Sequence, residues 1–288
     1  MTLLLQSVLS GVLLGGVYAL LGIGLTLVLG VVRIVNLAHG ELALLGMLAT
    51  WGLHKELGWD PTLSIVVVAP LLFLLGALLQ TAVVERALSA PPQHQALLTI
   101  GLGLAMSGAV ALEVAPGRPL LAPSSASPRL GFWGLSVPEP LLLSFGVAVA
   151  IAAALALFLL RTDAGRALRA TAQDREAAQL MGVNVRRMSW LAFGLGAALA
   201  GTAGALVAPT GPVSPQAGGA FTLSACAIAV LGGPGSLAGA AAGGVAVGVI
   251  QALAGAYLAS GLEEAVVPVL LLVLLLVNPS FLPGKAHA

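Results

Sequence analysis

Residues 1–32 read MTLLLQSVLSGVLLGGVYALLGIGLTLVLGVV and contain no Asp, Glu, Lys or Arg. A helix rising 1.5 Å per residue crosses ~30 Å of hydrocarbon in about 20 residues, so this run spans a bilayer with length left for a tilt or a break. The first basic residue is Arg33. The charged start of a secretory signal is therefore missing, and the stretch is expected to persist as a first span. Gly11 and Gly15 have the GxxxG spacing that lets a second helix approach closely.

The whole chain repeats this pattern. Of 288 residues, 59% are hydrophobic and 8% charged, where an ordinary soluble domain carries about 25% charged residues. Mean hydropathy is +1.05. So much apolar surface cannot close into one water-soluble core, and the bilayer is the expected solvent. Twelve Lys plus Arg against eleven Asp plus Glu leave a net charge of +1, which removes the basic face that nucleic-acid binding requires. The single Cys226 forms no intrachain disulfide and reads as a small buried hydrophobe.

Outward from the first run, Asn36, Leu37, Ala38, His39, Gly40 and Glu41 predict an interruption between apolar flanks. The piece from Leu42 to Leu53 is too short for a standard span, and His54, Lys55, Glu56 and Asp60 predict a wet turn. Apolar spans are expected over 61–84, 96–112 and 140–160, with about three more crossings between Met188 and Leu262, where no Asp, Glu, Lys or Arg occurs. A last span is expected over 265–277, extended through Phe281. Residues 116–138 hold five prolines, four serines and three glycines, the composition of an exposed loop. The expectation is an all-α, polytopic transmembrane bundle of eight or nine apolar segments with broken helices, forming one domain over 1–288.

The long polar segment, 161–187, carries six of the twelve basic residues. The positive-inside rule makes it cytoplasmic and places the loop at 116–138 on the opposite, periplasmic side. Thr171 and Asp174 have capping-box spacing, Ala177, Ala178, Leu180 and Met181 favour helix, and Gly182 suits a left-handed C-terminal cap. The predicted helix, about ten residues or ~15 Å long, is half a membrane and belongs outside the hydrocarbon. It reads either as a solvated loop helix or as a docking element that fits a groove on a partner protein.

Glu176, Ala177, Ala178 and Gly182 form EAAxxxG, which resembles the coupling-loop motif of ABC importer permeases. The Ile and Leu-Pro of the fuller motif are absent. Gly165-Arg166, Arg169-Ala170, Asp174 and Met181-Gly182-Val183-Asn184 resemble one branch, the branched-chain amino acid permeases. Asn36-Leu37-Ala38-His39-Gly40-Glu41 is similar to a second signature of that group, and Leu231-Gly232-Gly233-Pro234-Gly235-Ser236 with Gly239 and Gly243 to a third. These landmarks occur in family order and cover nearly the whole chain. The resemblance implies the LivH-like membrane subunit of an importer in the bacterial inner membrane. It implies two ATP-binding cassette subunits, a second related permease or a second copy of this chain, and a periplasmic solute-binding protein as partners. Thr171, Asp174, Glu176, Ala177, Ala178 and Gly182 would be the ATPase-coupling residues. Branched-chain or related apolar amino acids are the implied cargo, with urea, short amides and aromatic acids as the cargo of close relatives.

The chain has no GxxxxGK[ST] loop, so it is expected to hydrolyse no ATP itself. It also lacks a serine-protease or zinc-protease pattern, and no metal or cofactor is expected. An ion-coupled secondary transporter is the main competing reading, because it too uses glycine-interrupted helices. The scarcity of carboxylates inside the spans counts against ion coupling. Irregular backbone at membrane depth survives only where protein or a water-filled cavity satisfies it. The expected substrate path therefore passes Asn36, His39, Gly40 and Glu41, and then Gly232, Gly233 and Ser236. For Asn36 and His39, stabilising a helix break is an equally good reading. The closely spaced glycines, including Gly239 with Gly243 and Gly244 with Gly248, read first as packing positions.

Overall fold

The uncharged N-terminal run forms one unbroken helix, α1 (Thr2–Val32), of 31 residues, roughly 46 Å long. The computed structural model describes residues 2–114, 129–132, 135–233, 235–258 and 262–277. After α1 the chain is irregular from Arg33 to Ala38 and then enters α2 (His39–Leu57). The predicted interruption is thus displaced toward the N-terminus. His39, Gly40 and Glu41 form the first turn of α2, and the helix continues through His54, Lys55 and Glu56 to end at Gly58 with φ +66°. The expected short piece is a 19-residue helix because its first turn is held by Leu21 and Thr222, distant in sequence, while His54 at its other end bonds the nearby Trp59 carbonyl.

α3 (Ile65–Leu79) continues through a π-helical turn (Gln80–Val84) into α4 (Glu85–Ala87), giving one continuous stretch from Ile65 to Ala87. α5 (Pro92–Glu113) follows. Inside the predicted loop, β1 (Arg129–Phe132) and β2 (Leu135–Pro138) pair antiparallel, Arg129 opposite Pro138 and Phe132 opposite Leu135. The rest of that loop lies outside the described residues, as do Pro234 and Phe281. α6 (Glu139–Arg161), α7 (Asp163–Gln173), α8 (Arg175–Leu180), α9 (Val185–Val207), α10 (Ala217–Gly232), α11 (Leu237–Tyr257) and α12 (Glu263–Val277) complete the chain. Among the described residues, six helices have the length and apolar composition to cross a membrane, and α10 and α12 are shorter apolar helices. The chain is a multi-pass membrane protein with the expected helical bundle.

Two contacts at opposite ends of α1 orient the molecule. Near its start, Gln6 Nε2 donates to the Ser136 carbonyl (2.5 Å) and Gln6 Oε1 accepts from the Ser136 amide (3.0 Å), which ties the β-hairpin there. Near its end, Arg175 of α8 donates to the Val31 carbonyl. The hairpin and the α7–α8 insert therefore lie on opposite sides of the membrane-spanning body. Glu85 and Arg186 form an ion pair (2.5 Å) that joins α4 to the start of α9.

Close helix approach comes from the small residues. A Cβ on Gly11 would lie 2.6 Å from Val249 Cα, and one on Gly244 would lie 2.5 Å from Ala19 Cα, so α1 and α11 touch backbone to backbone. Gly204 of α9 sits equally close to the Ala43 carbonyl of α2. These glycines are packing positions. α1 and α9 form the buried centre, with Leu20, Leu21, Ala200 and Phe193 inaccessible, while Leu74, Leu104 and Leu157 project outward into the expected lipid.

Candidate functional site

The α7–α8 insert is built by three side-chain caps. Thr162 Oγ1 accepts from the Gly165 amide (3.0 Å) to start α7. A Cβ on Gly165 would lie 2.5 Å from Leu159 Cα, so the glycine lets α7 fold tightly back on α6. Gly165, Leu168 and Thr171, spaced by three, form the buried face of α7. Asp174 Oδ1 accepts from the amides of Glu176 (2.9 Å) and Ala177 (3.0 Å) and starts α8. Asn184 Oδ1 then accepts from the Arg187 amide (3.0 Å) to start α9.

This corrects the expected capping box. Thr171 lies inside α7, fully buried, with its hydroxyl donating to the Ala167 carbonyl (2.8 Å). The polypeptide breaks at Asp174, so the single predicted helix is two. Asp174 caps the second alone, because two local amides satisfy its carboxylate. The predicted end holds: Gly182 has φ +85°, its amide bonds the Gln179 carbonyl, and the Val183 amide bonds the Ala178 carbonyl. This 6→1 and 5→2 pair is the Schellman arrangement.

Of the expected coupling residues, Asp174, Glu176, Ala177 and Gly182 are exposed, while Ala178 and Thr171 face inward. Beside them, Leu180 and Met181 are 88% and 84% exposed. Two large apolar side chains at the tip of a short helix outside the spans form a surface suited to a partner groove. Arg175 Nη1 reaches back to the Val31 carbonyl (3.3 Å). Burial and the neighbouring Arg33 guanidinium pull the Arg175 pKa down from its ordinary value. Both cations sit at the C-terminal end of α1, whose dipole favours positive charge and whose last carbonyls lack helical partners. Arg33 itself has φ +63°, a left-handed conformation at the turn out of α1.

The second constellation lies where α2 begins. Asn36 Oδ1 accepts from the Ala38 amide (3.1 Å), fixing the turn into the helix. His39 is fully buried, and its Nε2 lies 3.1 Å from the Leu21 carbonyl, to which it donates. Gly24 makes room for its ring, since a Cβ there would lie 3.1 Å from His39 Cε1 and Nε2. The Gly40 amide donates to Thr222 Oγ1 (2.9 Å) on α10, and Thr222 Oγ1 donates to the Leu37 carbonyl (3.3 Å). Glu41 is 8% exposed, packed against Gly218 of α10 and beside Gly103 of α5, and its Oε2 has no hydrogen-bond partner. Asn36 thus satisfies a local amide and His39 Nε2 a backbone carbonyl, while His39 Nδ1 and Glu41 Oε2 are both buried without a partner among the described residues.

The two expected pathway regions are not brought together. Gly218, beside Glu41, and Gly232 are separated along α10 by about 21 Å. Gly232 packs against Gly239, and Gly233 and Gly235 have φ of +78° and +77°. Ser236 Oγ caps α11 by accepting from the Gly239 amide (3.0 Å). Gly235 lies beside Gly30, so this turn is on the α7–α8 side. Sequence reasoning missed Arg175, Thr222 and Gly218, whose partners are remote in the chain.

The profile of the family described as "Branched-chain amino acid transport system / permease component" matches residues 7–277. The high-affinity branched-chain amino acid transport system permease protein LivH of Salmonella typhimurium is 32% identical over 98% of this chain and 96% of its own. LivH of Escherichia coli K12 gives the same identity and coverage. The permease BraD of Pseudomonas aeruginosa is 29% identical, again over 98% and 96%. No solved structure matches the chain significantly.

Proposed function

The chain belongs to the branched-chain amino acid transport permease family, and we propose that it is the membrane-spanning subunit of an ATP-driven importer in the bacterial inner membrane. Two ATP-binding cassette subunits dock on the α7–α8 side. A periplasmic solute-binding protein delivers branched-chain or related apolar amino acids on the hairpin side, and a second permease or a second copy of this chain completes the pathway. The three relatives described above are named as branched-chain amino acid permeases, which supports the cargo.

The observation that carries this reading is α8, a short capped helix outside the spans with exposed Leu180 and Met181 and a direct bond from Arg175 to the end of α1. A motor that displaces α8 displaces the Val31 carbonyl. The movement then passes through Arg33–Ala38 to His39, which is fastened to Leu21, and to the α2–α10 contact at Gly40 and Thr222. A bundle packed backbone to backbone through glycine shifts between discrete arrangements, as alternating access needs. The substrate passes Glu41, with Asn36, His39 and Gly40 holding its helix turn in place, and leaves near Gly232, Gly233 and Ser236.

The buried carboxylate of Glu41 favours one alternative, an ion-coupled carrier, since such carriers place ionisable groups inside spans. The cargo and its delivery are tested in proteoliposomes holding the assembled importer and internal ATP. Uptake of leucine, isoleucine and valine should require the binding protein and resist competition by urea or aromatic amino acids. Uptake without the binding protein would overturn the importer reading, and competition by urea or aromatic amino acids would reassign the cargo.

A further inference from the structure

α6 and α11 each pack on α1 and leave a cavity of about 580 Å³ between them. Its walls are apolar, small residues such as Ala19 of α1, Ala152 of α6 and Ala241 of α11 alternating with larger ones such as Phe145, Leu155 and Leu237. It runs along α6 from Phe145 to Leu160, about 22 Å of helix, against a leaflet thickness of about 15 Å. At the α7–α8 end it reaches Arg169. Arg169 also borders a second cavity of about 70 Å³, lined by Thr26, Gly30, Ala172 and Gly235. Thr26 is fully buried, and its hydroxyl has no hydrogen-bond partner among the described residues. Arg166, one turn away, is paired with Asp163 (2.9 Å), whereas Arg169 makes no ion pair among the described residues.

We propose that this groove is a binding site for an anionic glycerophospholipid of the leaflet on the α7–α8 side. One acyl chain lies in the groove along α6, the phosphate meets Arg169, and a headgroup or glycerol oxygen reaches Thr26. Charge complementarity selects the ligand. A guanidinium at headgroup level offers paired donors to phosphate oxygens, and basic pockets between spans on the cytoplasmic side favour anionic lipids. The buried hydroxyl without a partner requires a polar atom that an acyl chain alone does not bring.

The test is lipid analysis by native mass spectrometry of the purified chain, alone and within its assembled complex, after exchange into mild detergent. The wild-type chain should retain phosphatidylglycerol in preference to phosphatidylethanolamine in both forms. Arg169→Gln should lower that preference by about fivefold, and Thr26→Val should lower it without changing thermal stability. Ala152→Phe, which fills the groove, should remove both lipids, while Gly52→Ala, at an open position far from the groove, should change nothing. Retention of no lipid by the wild type, an unchanged preference in Arg169→Gln, or loss of the lipid on assembly with the companion permease would each overturn the site. None of these readouts depends on transport or ATP hydrolysis.

Discussion

Arg175 Nη1 donates to the carbonyl oxygen of Val31 across 3.3 Å and 144 residues of sequence. This bond ties the first turn of α8, outside the membrane, to the last turn of α1, the most buried span. It gives the proposed docking surface at Leu180 and Met181 a mechanical route into the bundle that the EAAxxxG stretch alone does not contain.

Arg175→Ala should leave the chain folded and membrane-inserted and should lower coupled uptake by roughly fivefold, since a hydrogen bond from a charged group contributes about 1.5 to 3 kcal/mol and partial exposure reduces that. Arg175→Lys should recover part of the loss, because a single ammonium also reaches a carbonyl without the planar fork. Uptake per unit of permease in the membrane is the measurement. Equal uptake by Arg175→Ala and wild type would remove this bond from the coupling route.

At the start of α2, two substitutions should separate holding the helix turn from lining the path. His39→Ala removes a fully buried ring and its bond to Leu21, and should lower the melting temperature in detergent through a cavity and an unpaired carbonyl, on the order of 2 to 4 kcal/mol. Glu41→Gln keeps the shape, leaves the melting temperature within a degree or two, and should still reduce uptake. A Glu41→Gln variant with normal uptake would take Glu41 out of the pathway.

The glycines supply an internal control. A Cβ on Gly204 would overlap the Ala43 carbonyl, whereas one on Gly52 meets nothing within 4 Å. Gly204→Ala should destabilise the chain by about 1 to 3 kcal/mol. Gly52→Ala should be neutral or stabilise by up to about 1 kcal/mol through helix propensity. Thermal melts of both in the same detergent decide this, and comparable losses would mean that α2 and α9 are not in backbone contact.

Much of this architecture is legible in the chain itself. The uncharged run to Val32 is α1, and Gly182 is the left-handed stop of α8, because each depends on residues within a few positions. Local pattern fails where partners are remote. His39 and Glu41 read as a break because polar residues interrupt an apolar run, yet Leu21, Thr222 and Gly218 hold them inside a helix. Thr171 and Asp174 satisfy a spacing rule, but burial of the α7 face turns Thr171 inward and leaves Asp174 as the cap of the next helix. Arg175 carries no local signal, since its acceptor belongs to the first span.

Topology is tested by impermeant thiol labelling of spheroplasts in a Cys226→Ser background, Cys226 being buried. Gln173→Cys, on the insert, should stay unlabelled until the membrane is opened. Asp60→Cys, beside Glu139 and Pro140 on the hairpin side, should react at once. The reverse pattern would invert the orientation and place the binding protein and the ATPases on the wrong faces.

The most direct test of the central claim is amino acid import and ATP hydrolysis measured together in liposomes, with and without the ATP-binding subunits, for wild type and Ala177→Trp. The added bulk on exposed Ala177 falls on the proposed docking surface and leaves the bundle untouched. ATP-driven import through a docked α8 predicts uptake only when the ATP-binding subunits and ATP are present, and a severalfold drop in import per ATP, or loss of the ATPases from the complex, in Ala177→Trp. Import that persists without the ATP-binding subunits and follows an imposed ion gradient would contradict it.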